Sequence, residues 1–188
     1  MLTTMRGGSR RCGSRRAAAR FARHSYTVNA NGNTTNRAAD TFGYDQANRL
    51  KSATIAGATS TYAYNGDGVR HSKRVSAATT TDVNDVNRSL PVVLEDGERK
   101  YVWGLGLAYA EEGSGLLVYH NDGLGSVRAV SDGAGAITET CRTDEFGVPL
   151  ETQGASGQPF RYTGEQRDAE SGFISCGRGC TTRGLGDS

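Results

Sequence analysis

The sequence predicts an all-β protein built from antiparallel strand-turn-strand units, and three observations carry that reading. The 188 residues include 26 glycines, only 3 prolines and 36% apolar residues. That mixture suits short strands and tight turns better than packed helices. Apolar and polar residues alternate between the turns, as in Thr61-Tyr62-Ala63-Tyr64 and Ile137-Thr138-Glu139-Thr140, which is the period of a half-buried strand. The third observation is a short motif that recurs along the chain.

The motif is aromatic-x-x-Asp/Asn-x-x-Gly/Asn. It appears as Tyr26, Asn29 and Gly32; as Phe42, Asp45 and Asn48; as Tyr62, Asn65 and Gly68; and as Tyr119, Asp122 and Gly125. A fifth copy keeps Asp144 and Gly147 but carries Cys141 in place of the aromatic. Asp132, Gly133 and Gly135 mark a further turn. The chemistry of each position is local. An Asp or Asn side chain hydrogen-bonds backbone amides two or three residues on, and Gly or Asn accepts the left-handed conformation that reverses the chain. The aromatic falls near a strand end, where its ring covers a neighbouring strand. Starts lie 16, 20, 57 and 22 residues apart, so the long gap is expected to hold degenerate units. One hairpin cannot bury its apolar face, and the units must therefore stack into an antiparallel sheet.

Composition narrows the function classes. Basic residues exceed acidic ones by 2, which leaves no overall footprint for nucleic acid. Residues 1–25 are expected to form a disordered basic leader, because the stretch from Arg6 to Arg23 is arginine-rich and free of acids. No apolar run approaches the length of a membrane span, and the N-terminus lacks the apolar centre of a signal peptide. Of the four cysteines, Cys176 and Cys180 have metal-like spacing, but no second ligand pair lies nearby. Incidental thiols are therefore expected, with no metal and no cofactor.

The stretch YHNDGLGSVRAVSDGAGAI, residues 119–137, holds the one candidate catalytic group. On a regular strand His120 and Asp122 would share a face, with Ser126 four residues further on. Nothing in the sequence supplies an oxyanion hole, and strand and turn positions account for the same residues. Gly123 and Gly125 lack the third glycine of a dinucleotide fingerprint and the Gly-Lys-Ser/Thr end of a phosphate loop. The expectation is no catalytic residue.

Taken together, the tyrosine-aspartate units resemble the YD repeats of bacterial RHS proteins and of animal teneurins. The same YHNDGLGSVRAVSDGAGAI stretch, followed by TDEFGVPL and PFRYTGEQRDAESGFI and preceded by YVWGLGLAYAEE, resembles the RHS repeat-associated core that closes such an array. The resemblance runs from Tyr26 to Ile174. It implies YD repeats over 26–80, and YD repeats with the core over 81–174, as part of a spiralling β-sheet shell. Such a shell encloses a C-terminal toxin or effector in bacterial polymorphic toxins, and family members are secreted or at the cell surface. The core motif it singles out is Arg161, Tyr162, Thr163, Gly164 and Glu165, then Arg167, Asp168 and Gly172. By their residues alone these read as a polar loop with local, exposed ion pairs, which contribute little.

The expected function is thus a non-enzymatic piece of a shell, lacking the enclosed segment. The alternative is a module that binds carbohydrate or a cell-surface partner through exposed YD-turn tyrosines. Residues 175–188 depart from the family pattern. Read one base back, codons compatible with Cys176–Ser188 spell L-R-A-R-L-Y-D-P-R-L-G-R-F, so an out-of-frame tail is expected there. Partial units with open sheet edges are expected to be marginal on their own.

Overall fold

Each Asp or Asn of the motif sits where the chain reverses, and the reversals set the architecture. The computed structural model describes residues 25–176 and 180–182. The expectations about the basic leader, Cys12, His24 and most of the tail fall outside these residues. Seven strands form the first sheet in sequence order: β1 (Tyr26–Val28), β2 (Thr34–Arg37), β3 (Asp40–Tyr44), β4 (Leu50–Ile55), β5 (Ala58–Tyr64), β6 (Arg70–Val75) and β7 (Ala78–Thr81). Eight form the second: β8 (Val83–Asp85), β9 (Val92–Glu95), β10 (Arg99–Trp103), β11 (Leu107–Glu112), β12 (Gly115–Asn121), β13 (Val127–Asp132), β14 (Ile137–Thr143) and β15 (Pro149–Gly154). A small third sheet joins β16 (Gln166–Arg167), β17 (Ile174–Cys176) and β18 (Cys180–Thr182). All pairings are antiparallel between sequence neighbours, and the described residues contain no α-helix. Asp82 alone separates the last strand of the first sheet from the first strand of the second.

Two kinds of turn alternate along the first sheet. At one end Asn29, Asp45 and Asn65 begin three-residue loops, in which the residue three positions on has positive φ: Gly32 at 82°, Asn48 at 61° and Gly68 at 83°. A register shift precedes each loop. This is a type I turn closed by a left-handed bulge residue. At the other end the loops have two residues, and Ala38, Ala56 and Ser76 take positive φ of 51°, 50° and 54°. A strand, a motif turn, a strand and a tight turn together make the repeat.

The aromatic positions face inward. Phe42 and Tyr62 are buried in a cluster with Leu50, Ala53 and Phe173. Tyr119 is buried with Tyr101, Leu107, Ala110, Val127, Val130 and Phe160. Cys141, the substitute in the fifth copy, is buried as well, while Tyr26 on the outermost strand is half exposed. The long gap between the third and fourth copies holds β8–β11. Its turns include one at Gly104-Leu105-Gly106 that carries no Asp or Asn.

Candidate functional site

The motif turns are held by one repeated set of bonds. In the Asp122 turn the side-chain Oδ1 accepts from the amides of Leu124 (2.9 Å) and Ser126 (3.0 Å). The backbone closes with Gly125 N donating to Asp122 O at 3.0 Å and Asp122 N donating to Ser126 O at 2.9 Å. Asn29, Asp45, Asn65, Asp132 and Asp144 repeat this arrangement. The side chains therefore reach two and four residues on, one position further than the two-or-three spacing expected. Burial opposes ionisation of Asp122, yet the Ser126 and Leu124 amides and Arg128 hold its carboxyl below the usual range. The turns also touch one another: Asn31 and Asn33 donate to Asn48 Oδ1 at 2.8 Å, and Arg49 donates to Asn65 O at 3.2 Å.

This geometry separates the catalytic candidates. A register shift at His120/Asn121 turns Asp122 into its loop, where Arg128 Nε takes its second oxygen at 2.7 Å. His120 Nε2 instead lies 2.9 Å from Ser131 Oγ. Ser126 is buried and accepts from the amide of Thr163 through its Oγ at 2.9 Å. His120 and Asp122 do not share a face as a regular strand would place them, because the bulge breaks the alternation. Nor do the tyrosines of the third and fourth copies stand exposed beside their turns, as stacking on a sugar would require: Tyr62 and Tyr119 are buried, and burial pushes both phenols up.

What the fold does bring together is the core motif. Residues 155–175 leave β15 and run as a strap against both sheets. Phe160 is buried in the second sheet's cluster, edge-on to Tyr101 at 4.9 Å and to Trp103 at 5.6 Å between ring centres. Phe173 is buried in the first sheet's cluster, 5.5 Å from Phe42. Between these anchors Arg161, Tyr162, Thr163, Gly164 and Glu165 form a tight turn wedged against two motif turns. Val127 N donates to Arg161 O at 2.9 Å and Glu165 O accepts from Arg161 N at 3.0 Å. Tyr162 Oη donates to Glu145 O at 2.8 Å. Contact with the motif turns is close: a Cβ on Gly147 would lie 2.7 Å from the Tyr162 ring, and one on Gly164 would lie 3.1 Å from Gly125 O.

Charge completes the joint. Arg161 pairs with Glu139, whose other oxygen accepts from Ser156 N at 2.8 Å and Ser156 Oγ at 2.7 Å. Against the desolvation of burial, the Ser156 amide and Arg161 hold the Glu139 carboxyl below its usual range. Asp168, only 2% exposed, accepts from Arg70 Nη1 at 2.9 and 3.2 Å and from Lys73 Nζ at 3.1 Å. Arg70 Nη2 donates to Gln166 at 3.0 Å, and its guanidinium stacks over Tyr62 at 5.7 Å. Arg167 N donates to Pro159 O at 2.8 Å, and Gly172 N to Asp168 O at 2.7 Å, folding the strap on itself. The expected exposed, local ion pairs are thus corrected. The partners of Arg161 and Asp168 lie 22 and 98 residues away, the first pair part-buried and the second buried, because the strap crosses from one sheet to the other. A cavity of about 540 Å³ remains where the strap meets both sheets, with Trp103, Leu107, Phe160, Arg70 and Gln166 in its wall. Among the described residues no group of three or more His, Cys, Asp or Glu is placed to hold a metal ion. No helix among them is long and apolar enough to cross a membrane.

No family model matches the chain. It is similar to the tRNA3(Ser)-specific nuclease WapA of Bacillus spizizenii, at 31% identity over 163 residues and 79% of the chain. Its fold matches the Photorhabdus luminescens Tc holotoxin pore over 80% of the chain, with a TM-score of 0.59 and 20% identity. It also matches the crystal structure of TcdB2-TccC3 over 74%, with a TM-score of 0.56 and 20% identity. These similarities are consistent with a fragment of an RHS/YD-repeat protein. The chain spans 7% of the WapA sequence and 8–9% of the toxin chains. In RHS/YD terms, the repeat Tyr/Phe and Asp/Asn positions build the two sheets, and the core motif is the strap joining them.

The sequence reading singled out no residue of the first sheet as a partner of the core motif. Arg70, Lys73 and Asp82 carry no local signature, since their partners are distant in the chain. Phe160 and Phe173 stand in the PFRYTGEQRDAESGFI block, and as the apolar residues of a polar loop they were its one legible anchor signal.

Proposed function

We propose that the chain is a wall and closing element of an RHS-type shell, and that in the longer protein this shell encloses a toxin or effector segment. It contributes no chemistry of its own. The strap carries this reading: it buries Phe160 in one sheet, Phe173 in the other, and a charge pair between them. Such a part fixes the relative position of two sheets and can hold a wall closed. The similarity to a nuclease and to toxin complexes supports a toxin-associated setting. The separation of His120, Asp122 and Ser126 supports a role without catalysis.

A chimera tests the enclosure. Residues 26–174 replace the matching stretch of the similar Bacillus spizizenii protein, and limited proteolysis follows the segment downstream. Retained protection of that segment is expected. Loss of protection while the chimera's own sheets stay protease-resistant would overturn the reading.

A further inference from the structure

We propose that Asp82 makes the joint between strap and sheets pH-dependent: when protonated it leaves Arg70 committed to Asp168, and when ionised it competes for Arg70 and loosens the strap. This inference concerns the joint itself and does not rest on what the shell encloses.

Asp82 is the single residue between β7 of the first sheet and β8 of the second, and its amide donates to His71 O at 2.8 Å. Its side chain is 5% exposed, and Oδ2 lies 3.9 Å from Arg70 Nε. That distance is too long for a hydrogen bond. Arg70 directs its better-placed donors to the strap, with Nη1 to Asp168 and Nη2 to Gln166, and its Nε has no hydrogen-bond partner. Lys73 also turns to the strap, reaching Asp168 at 3.1 Å and Glu170 at 3.2 Å. Asp82 therefore sits beside a cation whose hydrogen bonds are made elsewhere.

Charge counting gives the direction. Arg70 and Lys73 on β6 face Asp168 and Glu170 of the strap and Asp82 of the linker, with Asp96 of the β9–β10 turn nearby. Glu98 and Arg99 line a small cavity together with Arg70, Lys73, Asp82 and Asp96. Two cations balance Asp168 and Glu170, and an ionised Asp82 is then in excess. Burial drives its carboxyl up to about 6 from 3.8, outweighing the pull of Arg70, and Asp96 adds to the rise. The folded state therefore takes up a proton more readily than the unfolded one. The stabilisation is complete below the ordinary aspartate range, and it is lost as pH rises through about 6. Once ionised, Asp82 attracts the free Nε of Arg70 and draws the guanidinium away from Asp168.

Hydrogen exchange at the amides of Arg167 and Asp168 tests this on the full chain, with rates corrected for the intrinsic pH dependence. Fluorescence of Trp103, the single tryptophan, which packs on Phe160 of the strap, follows the same transition. Exchange should be about tenfold faster at about pH 7.5 than at about pH 5, since one unit of pKa corresponds to a tenfold ratio, with a midpoint near 6. Asp82→Asn should abolish the transition and keep the strap protected throughout. His71→Gln, the control for histidine titration, should leave it in place. A flat wild-type profile, or a transition that persists in Asp82→Asn, overturns the proposal. Should Asp82→Asn fail to fold, carbonyl NMR titration of Asp82 in the wild-type chain decides. An inflection near 6 supports the proposal, and one in the ordinary aspartate range overturns it.

Discussion

Arg70 Nη1 lies 2.9 and 3.2 Å from the two carboxylate oxygens of Asp168, a residue 98 positions further along the chain. The first sits on β6 of the first sheet and the second in the strap that leaves the second sheet. A pair so distant in sequence and so deeply buried is a tertiary lock.

Breaking this lock from one side leaves an unpaired buried charge. Asp168→Leu or Arg70→Met should each cost about 3–5 kcal/mol in urea unfolding, the usual cost of orphaning a buried ion. Combining Arg70→Met with Asp168→Leu should cost clearly less than the sum of the two single changes, because neither charge is then stranded. Additive losses would show that the two residues are not coupled.

Two glycines with the same backbone conformation should respond differently. Gly135 and Gly147 have φ of 85° and 83°. A Cβ at Gly135 meets open space, whereas one at Gly147 meets the Tyr162 ring. Gly135→Ala should cost about 1–2 kcal/mol, the left-handed penalty alone, and Gly147→Ala should cost more. Adding Tyr162→Ala to Gly147→Ala should recover part of that excess. Equal penalties in thermal melts would mean that the strap does not rest on the Asp144 turn.

Phe160 joins Tyr101, Trp103 and Tyr119 across the strap. Phe160→Ala should destabilise the fold by about 3–5 kcal/mol, the range for a large buried aromatic, and should change the emission of Trp103. Unchanged emission would place the ring elsewhere.

Acid should weaken the joint through a different group from the one that loosens it at higher pH. The folded-state pKa of Glu139 is depressed from 4.5. Its stabilising contribution is present above that ordinary value and is lost as pH falls through the lower folded value. Glu139→Gln should remove this part of the acid sensitivity. A variant whose acid unfolding curve has the wild-type slope would contradict the assignment.

The turns were the part of this fold most open to a reader of the sequence. Asp122 with Gly125 and Asp45 with Asn48 announce themselves because the bonds that make them are local and need particular side chains. The tight turns at Ala38, Ala56 and Ser76 were hidden. Alanine and serine ordinarily avoid positive φ, and there the paired strands on either side impose it. The aromatic positions were legible as motif members, but their packing against Phe160 and Phe173 was not. That contact depends on a strap arriving from far along the chain. The same holds for Arg70, Lys73 and Asp82, whose partners no spacing rule connects. His120 and Asp122 misled in the opposite way, since a bulge between them breaks the alternation that would have aligned their side chains.

The central claim is that the core motif is a structural strap locking two sheets together. Native-state hydrogen exchange on the intact chain tests it most directly, through the amides of Val127, Thr163, Arg167 and Asp168, which are bonded within or against the strap. These amides should be protected to the same degree as Val130 and Ala53 in the sheet cores, and should open with them. Strap amides exchanging as fast as a free peptide, while both sheets stay protected, would contradict it.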